Sequence, residues 1–251
     1  MDMIWEDKKK NIKKAEEFMA QAAALGADMI LFPEMSFTGF SMRLDVTGET
    51  VPETKQRMTE LSVKYQIASG FGWTAVQEDL GENHYTLISD LGEELSDYIK
   101  IHPFSYAGED KVFRAGEKLA AAEYKGMKLG TVICYDLRFP ELFQGLSDMA
   151  DTILVPANWP RKRAEHWKLL LRARALENQV YVLGINCAGE KDGIFYSGDS
   201  CAVDPLGNLI AGYIQGEQLL MVDIEPDVKK YREEFPVRQD RRTDLYRRIW
   251  Q

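Results

Sequence analysis

Residues 130–142, GTVICYDLRFPEL, constrain this chain more than any other stretch: a strand-like apolar run ends on Cys134 and turns at once into polar, arginine-bearing sequence. Thr131, Val132 and Ile133 are β-branched and favour a buried strand, while Pro140 suits the first turn of a helix through Leu142, Phe143 and Leu146. A thiol at the end of a strand and ahead of a helix stands where α/β folds present their chemistry. Lone cysteines after apolar runs are more often inert core residues. Here, however, Asp136 and Arg138 follow directly, and neither can share a dry core with the thiol unless it is paired.

Two further strand ends carry reactive side chains. Residues 27–32, ADMILF, read as a buried strand that Pro33 stops, which leaves Glu34 just past its C-terminal end. Lys100 closes the strand SDYIKI and precedes His102 and Pro103. Taken singly, Glu34 reads as a solvated loop residue and Lys100 as a snorkelling surface lysine. The loop 103–116 is long and of mixed polarity, with Glu109 and Asp110 at its middle, and such loops in compact domains tend to be functional.

Helical spacing of Ile12, Ala15, Met19 and Ala22 predicts an amphipathic helix over residues 7–25 closed by Gly26, and residues 53–65 predict a second helix. Strands are predicted over 66–73, 85–90 and 95–101, with Gly81, Glu82 and Asn83 marking a turn. Further strands at 152–156 and 180–185 flank a helix at 163–178, whose inner face is Trp167, Leu170, Leu171 and Ala175. Three more short strands are expected within 197–223. The charged tail 225–250, with Pro226 at a helix start and Pro236 as a break, carries Tyr231, Phe235, Tyr246 and Trp250, enough apolar area to pack on the body or on a neighbouring subunit. No repeat, low-complexity stretch or linker interrupts the series, so the pattern predicts a single α/β domain over residues 1–251.

Charge and composition narrow the function. Lys+Arg of 31 against Asp+Glu of 40 give a formal charge of −9, which argues against nonspecific binding to nucleic acid or to an anionic membrane surface. MDMIWEDKKKNIKK has no apolar leader core and no run approaches a bilayer-spanning length, so a cytoplasmic enzyme of small molecules is expected. Cys134, Cys187 and Cys201 lack CxxC spacing, and His84, His102 and His166 are scattered, so neither a disulfide framework nor a metal site is suggested. The chain has no GxSxG, P-loop or GxGxxG motif.

If Glu34, Lys100 and Cys134 meet at one edge of a sheet, their chemistry fits together. A thiol of pKa about 8.5 needs a partner to take its proton, and Glu34 is suited to that. Hydrolysis of an amide also needs an oxyanion donor, each typically worth about 2.7–4 kcal/mol, and the Lys100 ammonium beside the Tyr135 N–H supplies one. The glutamic acid formed at Glu34 would then protonate the departing nitrogen.

These residues carry a resemblance. LFPEMSFTGF around Glu34, YIKIHPF around Lys100 and VICYDLRFPEL around Cys134 resemble the Glu, Lys and Cys motifs of nitrilase-superfamily carbon–nitrogen hydrolases. Within that superfamily the chain is most similar to the omega-amidase branch, through CYDLRFPEL, through ANWPRKRAEHWKLLLRARALENQVYVLGIN at 157–186 and through YSGDS at 196–200. The likeness runs from about Asp2 to Tyr246. It implies a four-layer αββα sandwich that forms a homodimer, a supporting glutamate after the lysine that Glu109 matches, and no cofactor. It also implies hydrolysis of the terminal amide of a small 2-oxo acid, 2-oxoglutaramate or 2-oxosuccinamate, through a thioester on Cys134.

A deaminated-glutathione amidase is the nearest alternative, and a nonenzymatic binding protein on a hydrolase fold is one of another class. Arg138, Asn158 and Arg163 are candidates to receive the substrate's far carboxylate, with Trp159 beside them, and Phe104 and Tyr106 to wall the pocket. Structural alternatives are a salt bridge from Arg138 to Asp136 and a plain surface cluster at 161–163. Two departures stand out. The family opens with a strand before a segment like MDMIWED, whereas this chain begins inside that segment, so an upstream start or an unfilled place in the sheet is expected. Relatives often carry a basic residue at the position of Cys187.

Overall fold

The computed structural model describes residues 1–225 and 227–249, so the helix start expected at Pro226 and the apolar area expected of Trp250 lie outside the described residues. The first half of the chain folds as α1 (Lys8–Ala24), β1 (Met29–Leu31), α2 (Leu44–Thr47), α3 (Glu53–Tyr65), β2 (Ala68–Gln77), β3 (Leu80–Ile88) and β4 (Glu94–Ile99). The second half adds β5 (Ala120–Tyr124), β6 (Met127–Thr131), α4 (Pro140–Leu146), β7 (Thr152–Ala157), α5 (Ala164–Asn178) and β8 (Tyr181–Asn186). It continues with β9 (Ala188–Lys191), β10 (Ile194–Val203), β11 (Leu209–Gln215), α6 (Lys229–Glu234) and α7 (Thr243–Ile249). β1 to β4 form one sheet in sequence order, and β11, β10, β8, β7, β6 and β5 lie side by side in the other, with β9 paired to β10. No helix among the described residues is long and apolar enough to cross a membrane.

Strand alternation builds the layers. Along β7, Ile153 and Val155 face α4 and α5, where they pack with Phe143, Trp167, Leu171 and Ala175, while Leu154 points the other way. Leu154 joins Leu129 and Leu183 of the larger sheet against Tyr85, Leu87 and Tyr98 of the smaller one. The smaller sheet's outer face, through Ile30, Phe71 and Ile88, packs on Ala15 and Met19 of α1 and Met58 and Leu61 of α3. Helices therefore cover both outer faces of two stacked sheets, giving the αββα sandwich.

Several boundaries differ from the sequence expectation. Gly81, Glu82 and Asn83 do not turn: they lie inside β3, paired with Val76, Ala75 and Thr74. The hairpin instead turns at Glu78 and Asp79, whose φ values of 50° and 73° give the left-handed two-residue turn that matches strand twist. Val132 and Ile133 lie beyond β6. Within 197–223 only β10 and β11 form, while residues 221–224 alternate between exposed and half-buried without pairing to a strand. In the tail, Val228 is buried and Arg232 and Arg238 bond to Ser147, whereas Phe235 is exposed.

The unpaired stretch has a counterpart. Ala68 donates to the Asp28 carbonyl and Phe32 to that of Gly70, so the even-numbered residues of this strand face β2 while Met29 and Leu31 present their N–H and C=O groups to the opposite edge. Between that edge and residues 219–224 lies a cavity of about 470 Å³, lined also by Met1, Leu154 and Leu183. Amide hydrogens of Met29 and Leu31 are expected to exchange much faster than those of Ile30 and Phe32, measured residue by residue by NMR. Equal protection across the four would show the edge to be closed.

Candidate active site

Each reactive residue is delivered by backbone closure just past a strand. Beyond β1, Ser36 N–H donates to the Gly72 carbonyl at 3.0 Å and Gly72 N–H to Ser36 Oγ at 2.8 Å, which fixes the turn carrying Glu34. A Cβ on Gly72 would stand 2.3 Å from the Met35 nitrogen, so only glycine lets the turn close onto β2. Beyond β4, Lys100 N–H donates to the Asn83 carbonyl at 2.9 Å and Gly116 N–H to the Lys100 carbonyl at 2.8 Å. Cys134 opens a 3-10 turn, Cys134–Arg138, with φ 48°, a strained conformation for a residue with a Cβ.

Asp136 ties that turn to the end of β4. Its buried carboxylate accepts from Ile133 N–H at 3.0 Å, Tyr98 O–H at 2.8 Å and His102 N–H at 2.9 Å, and sits 2.9 Å from His102 Nδ1. Its acceptor capacity is therefore spent, and the salt bridge with Arg138 does not form. Arg138 instead lies with its guanidinium 4.7 Å from the centre of the Trp159 ring and donates to His166 Nδ1 at 3.3 Å.

The charged groups meet in a dry cluster. Lys100 Nζ donates to Glu34 Oε1 at 2.8 Å and to Glu109 Oε2 at 2.8 Å, all three side chains being buried. Glu34 also accepts from Asn158 N–H at 2.9 Å and from Asn83 Nδ2 at 3.0 Å. Glu109 accepts from Asn83 Nδ2 at 3.1 Å and from Phe104 N–H. Burial pushes the Glu34 carboxyl up, but the Lys100 charge and these hydrogen bonds outweigh it and hold it below the usual carboxylate range. Burial likewise works against the Lys100 cation, and Glu109 and Glu34 reverse it, so the ammonium is fixed. Burial and then the Glu34 charge drive the Cys134 thiol well above its ordinary value, so it rests protonated beside an ionised carboxylate.

A cavity of about 390 Å³ opens over this cluster. Of the residues singled out in the sequence, Lys100, Phe104, Cys134, Tyr135, Arg138, Asn158, Trp159 and Arg163 line it. Tyr106 does not. It is exposed, its ring 5.7 Å from that of Phe104, and Ala107 takes the wall position. Asn158 turns its side-chain donor to Glu34 instead, Nδ2 donating to the Glu34 carbonyl at 2.7 Å and lying 3.5 Å from Glu34 Oε2. The Arg163 guanidinium lies 5.4 Å from the Phe104 ring, and the Arg138 guanidinium is made less basic by burial and then by the charge of Arg163. No acid among the described residues pairs with either arginine.

Sequence reading passed over Asn83, Trp5, Phe40 and Tyr196. The last three line the cavity with aromatic side chains, which in a sequence read as packing. Asn83 follows a Gly-Glu pair that imitates a turn.

The chain's relatives agree with this architecture. The family model for carbon-nitrogen hydrolases matches residues 1–233. Omega-amidase YafV of Escherichia coli K12 is 33% identical over 95% of this chain and 93% of its own length. A 2-oxoglutaramate amidase of Bacillus subtilis is 32% identical over 98% of this chain and 96% of its own. The crystal structure of XC1258 from Xanthomonas campestris, a CN-hydrolase superfamily protein with an arsenic adduct in its active site, superimposes with a TM-score of 0.90 at 27% identity, covering 96% of this chain and 94% of that one. With a family match and relatives that run almost end to end, this chain belongs to the carbon–nitrogen hydrolase family.

Proposed function

We propose that this protein is an omega-amidase that hydrolyses the terminal amide of a small 2-oxo acid, 2-oxoglutaramate or 2-oxosuccinamate, to ammonia and the dicarboxylate. The observation that carries the reading is one cavity with the Cys134 thiol and Lys100 on its floor, the latter shared by Glu34 and Glu109, and on its wall two guanidiniums, Arg138 and Arg163, that form no ion pair among the described residues. Cys134 Sγ attacks the amide carbon while Glu34 takes the thiol proton, and Lys100 with the Tyr135 N–H receives the oxyanion. The C–N bond breaks as Glu34 passes the proton to the nitrogen, ammonia leaves and a thioester remains on Cys134. Water, deprotonated by Glu34, attacks the thioester, and the acid leaves as the thiol is restored. Glu109 serves as the second anchor of Lys100, and Asn158 as an anchor of Glu34.

Arg138 and Arg163 receive the far carboxylate, since an unneutralised pair of guanidiniums in a half-buried site favours an anion. Changing either to Gln is expected to raise KM by about 10- to 100-fold with a much smaller change in kcat, the range of a charge-assisted hydrogen bond. Steady-state kinetics of both variants would check it, and an unchanged KM would remove that residue from the carboxylate site. Ammonia release from 2-oxoglutaramate, measured beside deaminated glutathione, tests the substrate class. Exclusive turnover of the latter would overturn it. We also propose that the protein acts in the cytoplasm and does so as a homodimer, the pairing alone being supported by the exposed Leu169 and Leu176 of α5. Light scattering at twice 28.7 kDa is the expected result.

A further inference from the structure

Asn83 sits in the middle of β3 at 1% exposure, opposite Thr74 of β2. Asparagine is a poor strand residue, and an amide in a dry interior is costly unless its polar atoms are matched. Here Oδ1 has no hydrogen-bond partner among the described residues. Nδ2, by contrast, donates one hydrogen to Glu34 Oε1 at 3.0 Å and the other to Glu109 Oε1 at 3.1 Å. The residue's own carbonyl accepts the Lys100 N–H at 2.9 Å. One side chain with a half-matched amide thus bridges both buried carboxylates, where leucine or valine would serve the sheet better. Stability alone gives no reason for it.

Charge does. Glu34 and Glu109 carry two negative charges and Lys100 one positive, so the cluster holds a net charge of −1 away from water. Two carboxylates that share a single cation oppose each other's charge, and a neutral donor to each offsets that repulsion. A protonated Glu34 has no capacity for the thiol's proton. The two N–H groups of Asn83 give each carboxylate a neutral, directed donor, and such a bond is stronger to the anion than to the acid. We infer that Asn83 is a positioning residue of the amide hydrolysis, a neutral bridge that keeps Glu34 ionised and in place as the general base. The inference rests on the proposed role of Glu34.

Two variants separate the bridge from mere packing. Asn83→Leu keeps the shape and removes both donors, and Asn83→Asp sets a third carboxylate among the other two. With 2-oxoglutaramate as substrate, kcat is expected to fall about 10- to 100-fold in Asn83→Leu and further in Asn83→Asp, with KM within about threefold of the parent. The acid limb of the kcat/KM profile should move to higher pH in both, furthest in Asn83→Asp, because loss of a donor to the carboxylate raises its pKa. Asn83→Ser, too short to reach either glutamate, shows the same upward movement should the leucine variant not fold. An acid limb unmoved in the folded variants overturns the inference whatever their kcat, and leaves the amidase reading standing. A parent protein that releases no ammonia from the amide, or releases it equally after Cys134→Ala, overturns both.

Discussion

The variant Lys100→Met is expected to lose about 3–5 kcal/mol of stability at neutral pH as well as its activity, because removing one partner of a buried ion pair leaves an uncompensated charge. Met fits the space, so the loss is electrostatic. In the parent, Lys100 is the largest of the influences that lower the Glu34 pKa, and burial is what opposes them. A carboxyl held below its ordinary value contributes stability above that value, and the contribution disappears as pH falls through the folded pKa. Without Lys100 the sign inverts: burial remains, the Glu34 carboxyl rises above its ordinary value, and ionisation at pH 7 costs stability that is recovered on acidification. Urea midpoints of parent and variant should therefore lie far apart at pH 7 and closer at pH 5. Equal midpoints at pH 7 would show that the ammonium is solvated and that the cluster is not dry.

The fold was legible because its strands are short apolar runs that end abruptly. ADMILF before Pro33 contains β1, and the β-branched run before Cys134 begins on the last residue of β6 and continues as buried backbone beyond it, with polar side chains following where the chain leaves the sheet. For the same reason Glu34, Lys100 and Cys134 stood out before any geometry was known. Glu109 did not stand out in that way: it lies on a 3-10 turn within the loop after β4 and was indicated by the spacing of its resemblance. Asn83 was misread because local turn chemistry and strand membership compete, and pairing along nine residues of β2 and β3 outweighs a Gly-Glu-Asn signal. Residues 219–224 show the converse. Their alternation is strand-like, yet they pair with no strand among the described residues, and a cavity separates them from β1.

Changing Cys134 to Ala should reduce ammonia release from the amide by at least about four orders of magnitude, the scale on which removal of a catalytic nucleophile acts. Changing it to Ser should recover little of this. An alkoxide is far more basic than a thiolate, and the proton must go to Glu34, whose carboxyl is held below the usual carboxylate range and so is a weak base. The thiol itself is already raised by burial and by the Glu34 charge, so in the proposed reaction proton transfer is uphill at rest and becomes accessible only as the Sγ–C bond forms and Lys100 meets the oxyanion. The pH profile follows from the same two shifts. Glu34 stays ionised down to below about pH 4.5 and the thiol stays protonated to above about pH 9, so kcat/KM should be nearly level between those limits. A serine variant within tenfold of the parent would mean that the sulfur does not attack the substrate. A profile rising steeply through pH 8 would mean instead that a thiolate formed in advance, rather than a thiol–carboxylate pair, is the reacting state.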